Sequence, residues 1–341
     1  EEEEEEGLFD ENGRVRRPVL EVYGPPGLYN YVCASLALSC SRLHALRVVV
    51  YELTGGTQED GPHGIKWSHN RRPQPRHRNP FLGKTYHELT QPMVVRRSIP
   101  RSLDGTWLID DYEEVTERDV IAARGGGRSV RPRGAAPNDP TGGRGRSIRV
   151  AAAEVEHNPG VQTFGYVVEE PPPPRNIDVA KAEAMGVARG PKYRLLKNGV
   201  PVERDDGSGV LVRPEEVYRG EAQRGRKVAV VGDNWRMTEA MLRLCAGADV
   251  LVHEATALDG WSAEQARERG HSTAVHAGRV ARSLSVPVLA LNHIGATVDK
   301  NGRDGATELM ERCAEASGGA CSVVPTFDFM ELWVPRGGFG F

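Results

Sequence analysis

No stretch of this chain approaches the ~18 consecutive apolar residues of a membrane-spanning helix, so no helical membrane segment is predicted. No signal-like leader is visible either; the first six residues are all Glu, without a Met. Cysteine is sparse and scattered. Cys33, Cys40, Cys245, Cys313 and Cys321 include no Cys-x-x-Cys pair, which argues for free thiols in a reducing, intracellular compartment rather than disulfides or a thiolate metal site. Aromatic residues are 6% of the 341 positions and hydrophobic residues 39%, whereas Gly (39) and Pro (23) are plentiful, so the ordered part should be smaller than the chain. A net charge of −3 carries no nucleic-acid signal, and any RNA contact must come from local basic patches.

What is present is concentrated between Lys227 and Ile294. The β-branched run Lys227-Val228-Ala229-Val230-Val231 ends in Gly232-Asp233-Asn234; Asp249-Val250-Leu251-Val252 ends in His253-Glu254-Ala255-Thr256; Val286 to Leu291 ends in Asn292-His293. Between these strands, Met237, Ala240, Met241 and Leu244 mark one helix face, and Ala274, Ala277, Val280, Ala281 and Leu284 another. Strand, helix, strand, helix, strand predicts an α/β fold with parallel strands, whose carboxyl ends share one edge where ligands bind. That edge carries Asp233, His253, Glu254 and His293, joined by His271 at a helix start that Ser272 or Thr273 can cap. Imidazoles with one aspartate suit zinc.

Elsewhere the chain alternates pattern and interruption. Val19 to Tyr23 reads as a strand leading through Gly24-Pro25-Pro26-Gly27 into a helix through Tyr31, Ala34, Leu38 and Leu43, and Val48 to Leu53 as the next strand. Residues 55–147 are rich in Arg, Pro and Gly and read as a disordered basic surface insertion; RNA contact by its Arg runs (Arg71, Arg72, Arg76, Arg78, Arg124, Arg128, Arg131, Arg133) is the alternative to a solvated linker. His63, His69, His77 and His87 within it lack ligand spacing. Ile148 to His157 and Phe164 to Val168 read as a hairpin with His157 near its turn, where spacing alone leaves a structural and a metal-binding role open. After Pro171 to Pro174, a rigid spacer, Arg189, Lys192, Arg194 and Lys197 cluster around Gly190-Pro191, either as an ordinary basic helix-turn or as a grip on a phosphate backbone. Ala306, Leu309, Met310 and Cys313 mark a last amphipathic helix, with Val323 to Pro325 and Phe329 to Pro335 as closing strands.

Gly232-Asp233-Asn234, His253-Glu254-Ala255-Thr256, Gly270-His271-Ser272-Thr273 and Leu291-Asn292-His293, together with Gly24-Pro25-Pro26-Gly27-Leu28 and Val155-Glu156-His157, resemble ribonuclease Z, the tRNA 3′-processing endonucleases of the metallo-β-lactamase superfamily. The resemblance covers most of Val19 to Pro335 apart from the insertion. It implies a metallo-β-lactamase αββα sandwich over 19–335, incomplete in its first half, with residues 1–18 an acidic tail or truncated start, a tRNA-binding flexible arm at about 170–222 and a short tail at 336–341. The implied metal ligands are His157, Asp233 and His293, with two zinc ions per site and Asp233 shared between them. Implied catalytic residues are His271 as general acid, Glu254 holding that imidazole and His253 behind them; Arg189, Lys192, Arg194 and Lys197 would grip tRNA. The implied reaction is zinc-dependent hydrolysis that removes 3′ trailers from precursor tRNA, by an enzyme that is a homodimer and meets no membrane.

The chain also departs from that family. The His-x-His-x-Asp-His motif expected shortly before Gly24 is missing, and Ile294-Gly295-Ala296-Thr297 stands where Phe-Ser-x-Arg is usual. The first departure leads to the expectation of a truncated sequence that is inactive as it stands. The alternatives are a catalytically dead RNA-binding homologue, or another phosphodiesterase of the same fold acting on a small substrate, against which the basic arm argues.

Overall fold

The computed structural model describes residues 19–38, 46–56, 94–109, 148–158, 161–258, 260–295, 298, 305–336 and 339. The chain begins with strand β1 (Val19–Gly24), helix α1 (Leu28–Leu38), β2 (Arg47–Thr54) and β3 (Val94–Pro100), which make a parallel sheet in the order β1-β2-β3. Period-two alternation explains how this sheet is covered on both sides. Val48 and Val50 pack with Tyr29 and Cys33 of α1, while Val49, Tyr51 and Leu53 turn to the opposite face. Glu52 shares the helix face and is fully buried. Its carboxylate accepts the N–H groups of Gly27 (2.8 Å) and Tyr29 (3.1 Å) and the Arg96 Nε–H (2.7 Å), so it caps α1 and fixes the Pro-Pro-Gly turn.

β3 and the next strand, β4 (Thr106–Leu108), lie inside the stretch expected to be a disordered insertion. Val94, Val95, Ile99 and Trp107 are buried there. The two arginines of Val94-Val95-Arg96-Arg97 hide the strand pattern, because Arg96 is placed on a buried face by its pairing with Glu52. Residues 57–93 and 110–147, with the four histidines and the Arg runs of that stretch, lie outside the described residues.

β5 (Arg149–Glu156) and β6 (Thr163–Glu169) form the expected antiparallel hairpin. The chain then leaves the sheets for a small module: β7 (Asn176–Ile177), α2 (Val179–Ala184), α3 (Lys192–Lys197), β8 (Val202–Glu203), β9 (Leu211–Val212), α4 (Pro214–Val217) and β10 (Tyr218–Arg219). It has its own core of Ile177, Ala182, Val187, Leu196, Val202, Val212 and Val217, and β7 pairs with β10 to close it.

The organising stretch follows as β11 (Lys227–Val231), β12 (Arg236–Met237), α5 (Glu239–Cys245), β13 (Val250–Glu254), α6 (Ala263–Arg269), α7 (Ala274–Leu284), β14 (Val288–Asn292), α8 (Gly305–Ser317) and β15 (Ser322–Pro325). The larger sheet runs β12-β5-β6-β11-β13-β14-β15, with β4 paired to β5, and β11, β13, β14 and β15 are parallel. Its back face packs Leu251, Leu289 and Leu291 against Met241, Ala277, Ala281 and Leu309 of the helices. Its front face gives Ala152 and Phe164 to the core shared with β2, β3 and Trp107. The layers are therefore helix, sheet, sheet, helix, the α/β arrangement expected. Phe329 to Pro335 does not form the second closing strand; Phe329 lies at φ 64° and is fully exposed. No helix among the described residues is long and apolar enough to cross a membrane.

Candidate active site

Three parallel strands end together, and each carries its polar residue at the last ladder pair or one to two positions past it. Asp233 follows β11, Glu254 closes β13, and His293 follows β14 in a left-handed turn (φ 49°) that ends the strand direction abruptly. His157 arrives from the end of β5, and His271 stands between α6 and α7. Thr273 caps α7 by accepting the His276 N–H, so Ser272 is free to donate its hydroxyl to the Asn234 carbonyl (2.6 Å).

Glu254 is the fixed centre of the arrangement. It is fully buried, and its Oε1 accepts the Asn234 N–H (2.6 Å) and His271 Nδ1–H (3.1 Å) while Oε2 accepts the Ser272 N–H (3.0 Å) and the Thr256 hydroxyl (2.5 Å). A buried carboxylate with four donors satisfies its lone pairs and cannot turn away. His271 must therefore carry its proton on Nδ1, which leaves Nε2 for other work.

The other imidazoles are oriented by the same logic. His157 Nδ1–H donates to the Gly270 carbonyl (2.6 Å), and His293 Nδ1–H donates to the Thr256 hydroxyl oxygen (2.8 Å). His293 Nε2 stands 3.5 Å from Asp233 Oδ2. An imidazole nitrogen and a carboxylate oxygen this close can both serve one cation. Ligand atoms of His157, Asp233 and His271 lie within 4.8 Å of one another, and those of Glu254, His271 and His293 do so as well. Nitrogen and carboxylate donors at this spacing fit a divalent metal of the zinc type. His271 is sandwiched between the other two imidazoles, with ring centroids 4.9 Å from each.

His253 is set apart from this group. It is fully buried, its Nδ1 meets the Glu254 carbonyl (2.8 Å), its ring lies 6.1 Å from that of His276, and burial holds its pKa down to about 4. Spacing gave no site role to Thr256, Gly270 or Asn234 and offered Ser272 only as a helix cap, although all four sit within the motifs that were read. The signal available was a hydroxyl two residues after the strand-end carboxylate. Gly270 closes α6 at φ 75°, and a Cβ there would come within 2.7 Å of His157 Nδ1 and 2.6 Å of the Asn158 amide oxygen.

The four basic residues of the module divide into two kinds. Arg189 pairs with Glu183 (3.1 Å), and Lys192 Nζ holds Asp205 (2.6 Å) and the Glu203 carbonyl (2.7 Å), which keeps the Asp205 carboxyl below its ordinary range. Arg194 and Lys197 have no side-chain partner among the described residues.

Over 151 residues the chain is 38% identical to a protein of Latilactobacillus sakei subsp. sakei, covering 44% of this chain and 46% of that one. Over 161 residues it is 38% identical to a protein of Listeria monocytogenes (47% and 49% covered), and over 186 residues 37% identical to one of Halorubrum lacusprofundi (54% and 56% covered). Each of these is named ribonuclease Z. The similarity is to ribonuclease Z. The chain spans about half the length of the ribonuclease Z proteins it matches. Among solved structures, human tRNase Z, short form, aligns with 94% of this chain and 69% of its own at 18% identity and a TM-score of 0.46. No family model matches the chain.

Proposed function

We propose that this chain acts in tRNA 3′-end processing, as a zinc-dependent endoribonuclease that removes 3′ trailers from precursor tRNA. The observation that carries the reading is the Glu254–His271 pair standing among His157, Asp233 and His293 at the carboxyl edge of the larger sheet. Zinc held by His157, Asp233 and His293 would supply positive charge at the phosphoryl oxygens and acidify the attacking water. His271 donates its Nδ1–H to Glu254, and in its imidazolium form its Nε2–H would protonate the leaving ribose oxygen, as a general acid does. Glu254, pinned by its other donors, holds that imidazole in one orientation. The products would be a tRNA with a 3′-hydroxyl and a trailer with a 5′-phosphate.

The module of residues 176–219 is the proposed grip on the body of tRNA. Arg194 and Lys197 are free for phosphates, and the exposed pairs of Arg189 and Lys192 can exchange a carboxylate for a phosphate at small cost. A small substrate needs no grip so separate from the site. Homodimerisation belongs to the same proposal and is read by sedimentation. Three ligands shared by two ions is about half the usual zinc complement, so turnover by this chain alone is expected to be slow.

The test is zinc content together with trailer release from a labelled precursor tRNA, for the wild type and for His271→Ala and Asp233→Ala. Zinc that is lost in Asp233→Ala, with trailer release lost in His271→Ala, supports the proposal. Zinc retention and tRNA binding without release, even at enzyme excess, overturns the hydrolytic part and leaves an RNA-binding protein. Retention of neither overturns the whole.

A further inference from the structure

A cavity of 560 Å³ lies at the foot of the small module, where the chain enters through Pro173 and Pro174 and leaves through Gly220 to Gln223. Its volume is in the range of small-molecule sites, roughly 300 to 1,000 Å³. Three cations line it, Arg175, Lys197 and Arg219, against one carboxylate, Glu221. None of the cations is neutralised: neither Lys197 nor Arg219 has a side-chain partner among the described residues, and Arg175 makes no ion pair there.

Arg175 is held in place without being used up. Its guanidinium lies 4.4 Å over the Tyr218 ring and donates one N–H to the Gly220 carbonyl, while its Nε–H is buried with no acceptor. The rest of the guanidinium lines the cavity and can meet an anion there. The remaining wall is mixed, with the apolar Ile177 and Val179, the amides of Asn176 and Gln223, and Tyr193, whose hydroxyl is already spent on the Val187 carbonyl (3.2 Å). Three cations, one of them held in place, facing a wall that combines apolar side chains, a tyrosine ring and two amides suit a phosphate attached to a flat ring with polar edges.

We propose that this cavity binds one nucleoside monophosphate unit, its phosphate on Arg175, Lys197 and Arg219. The unit is either a free mononucleotide or a single nucleotide of an RNA strand, and the site stands apart from the hydrolytic edge. The full chain is titrated with AMP and with a short oligouridylate, wild type beside the Lys197→Ala/Arg219→Ala double variant. Both changed side chains are exposed and have no side-chain partner among the described residues, so the double variant should keep its Tm, whereas Arg175→Gln loosens β10 as well. Saturable AMP binding that weakens roughly tenfold or more in the double variant identifies a free mononucleotide. The same loss for the oligonucleotide alone identifies a unit of RNA. Binding of neither probe, or binding of both unchanged in the double variant, overturns the proposal. Lys197 also belongs to the proposed tRNA grip, so Arg194→Ala, in that grip but outside the cavity lining, serves as the charge control: oligonucleotide binding that falls as far in Arg194→Ala as in the double variant, with no AMP binding, overturns the cavity and leaves the grip. His271→Ala removes hydrolysis without touching this cavity.

Discussion

At the scale of single residues, Thr256 serves two partners. Its hydroxyl donates to Glu254 and accepts from His293, so one oxygen fixes both the carboxylate that holds His271 and the tautomer of His293, a proposed metal ligand. Thr256→Val keeps the shape and removes both bonds. Zinc affinity is expected to fall by about 10- to 100-fold with little change in Tm, and Thr256→Ser should restore it; competition with a chromophoric chelator measures both. Gly270 is the second such position, since its left-handed backbone and the neighbouring His157 ring leave no room for a Cβ. Gly270→Ala is expected to cost about 1 kcal/mol or more of stability and to displace His157, so that chemical denaturation and zinc content fall together. A Tm and zinc content equal to wild type would refute that reading.

At the scale of elements, the small module is a folding unit with a separate core. Leu196, fully buried in α3, packs among Ile177, Val187, Val202 and Val212, and none of these touches the sheet cores. Leu196→Ala should destabilise that module by about 2 to 5 kcal/mol while leaving β11, β13 and β14 as protected as before. Hydrogen exchange resolves this directly: faster exchange confined to residues 176–219 is expected, and faster exchange spread into the sheet would mean the module is not autonomous. The same separation explains how cations on the module can be rearranged without disturbing the strand-end site. α6 offers a contrast, for it buries none of its residues yet has a capping box at Ser262 and Gln265 and a glycine cap at Gly270. Its position is set by its ends, and those ends position His157 and His271.

At the scale of the whole molecule, acid should weaken the fold through histidines buried behind the site. His253 is held down to about 4 by burial and by nearby His276, despite its bond to the Glu254 carbonyl; His276 is itself lowered, first by burial and then by Arg279. Both imidazoles take up a proton in the unfolded chain below about 6.5 and resist it in the fold. Stability is therefore complete above that pH and is lost as pH falls from about 6.5 toward 4, by about 3 kcal/mol from His253 alone. Denaturant midpoints at pH 7, 5.5 and 4.5 for the wild type and His253→Gln measure it; equal slopes against pH would refute the assignment.

The sequence by itself determined the alternation of strands and helices from Lys227 onward and the identity of the polar residues at the strand ends. Period-two and helical patterns are local, and a Gly or a polar residue after a β-branched run ends a strand wherever it occurs. Asp233, Glu254, His271 and His293 were legible for that reason, and His157 through its hairpin. Only the tertiary structure decided what each of them holds. His157 is oriented by a carbonyl 113 positions away, Asn234 and Ser272 converge on Glu254 from two other connections, and Arg96 is drawn onto a buried face by Glu52, 44 positions earlier. The division of the module's cations into paired and free ones is of the same kind. Hydrogen-bond partners are set by which chain segments the packed layers bring together, and spacing along the chain carries no record of that distance.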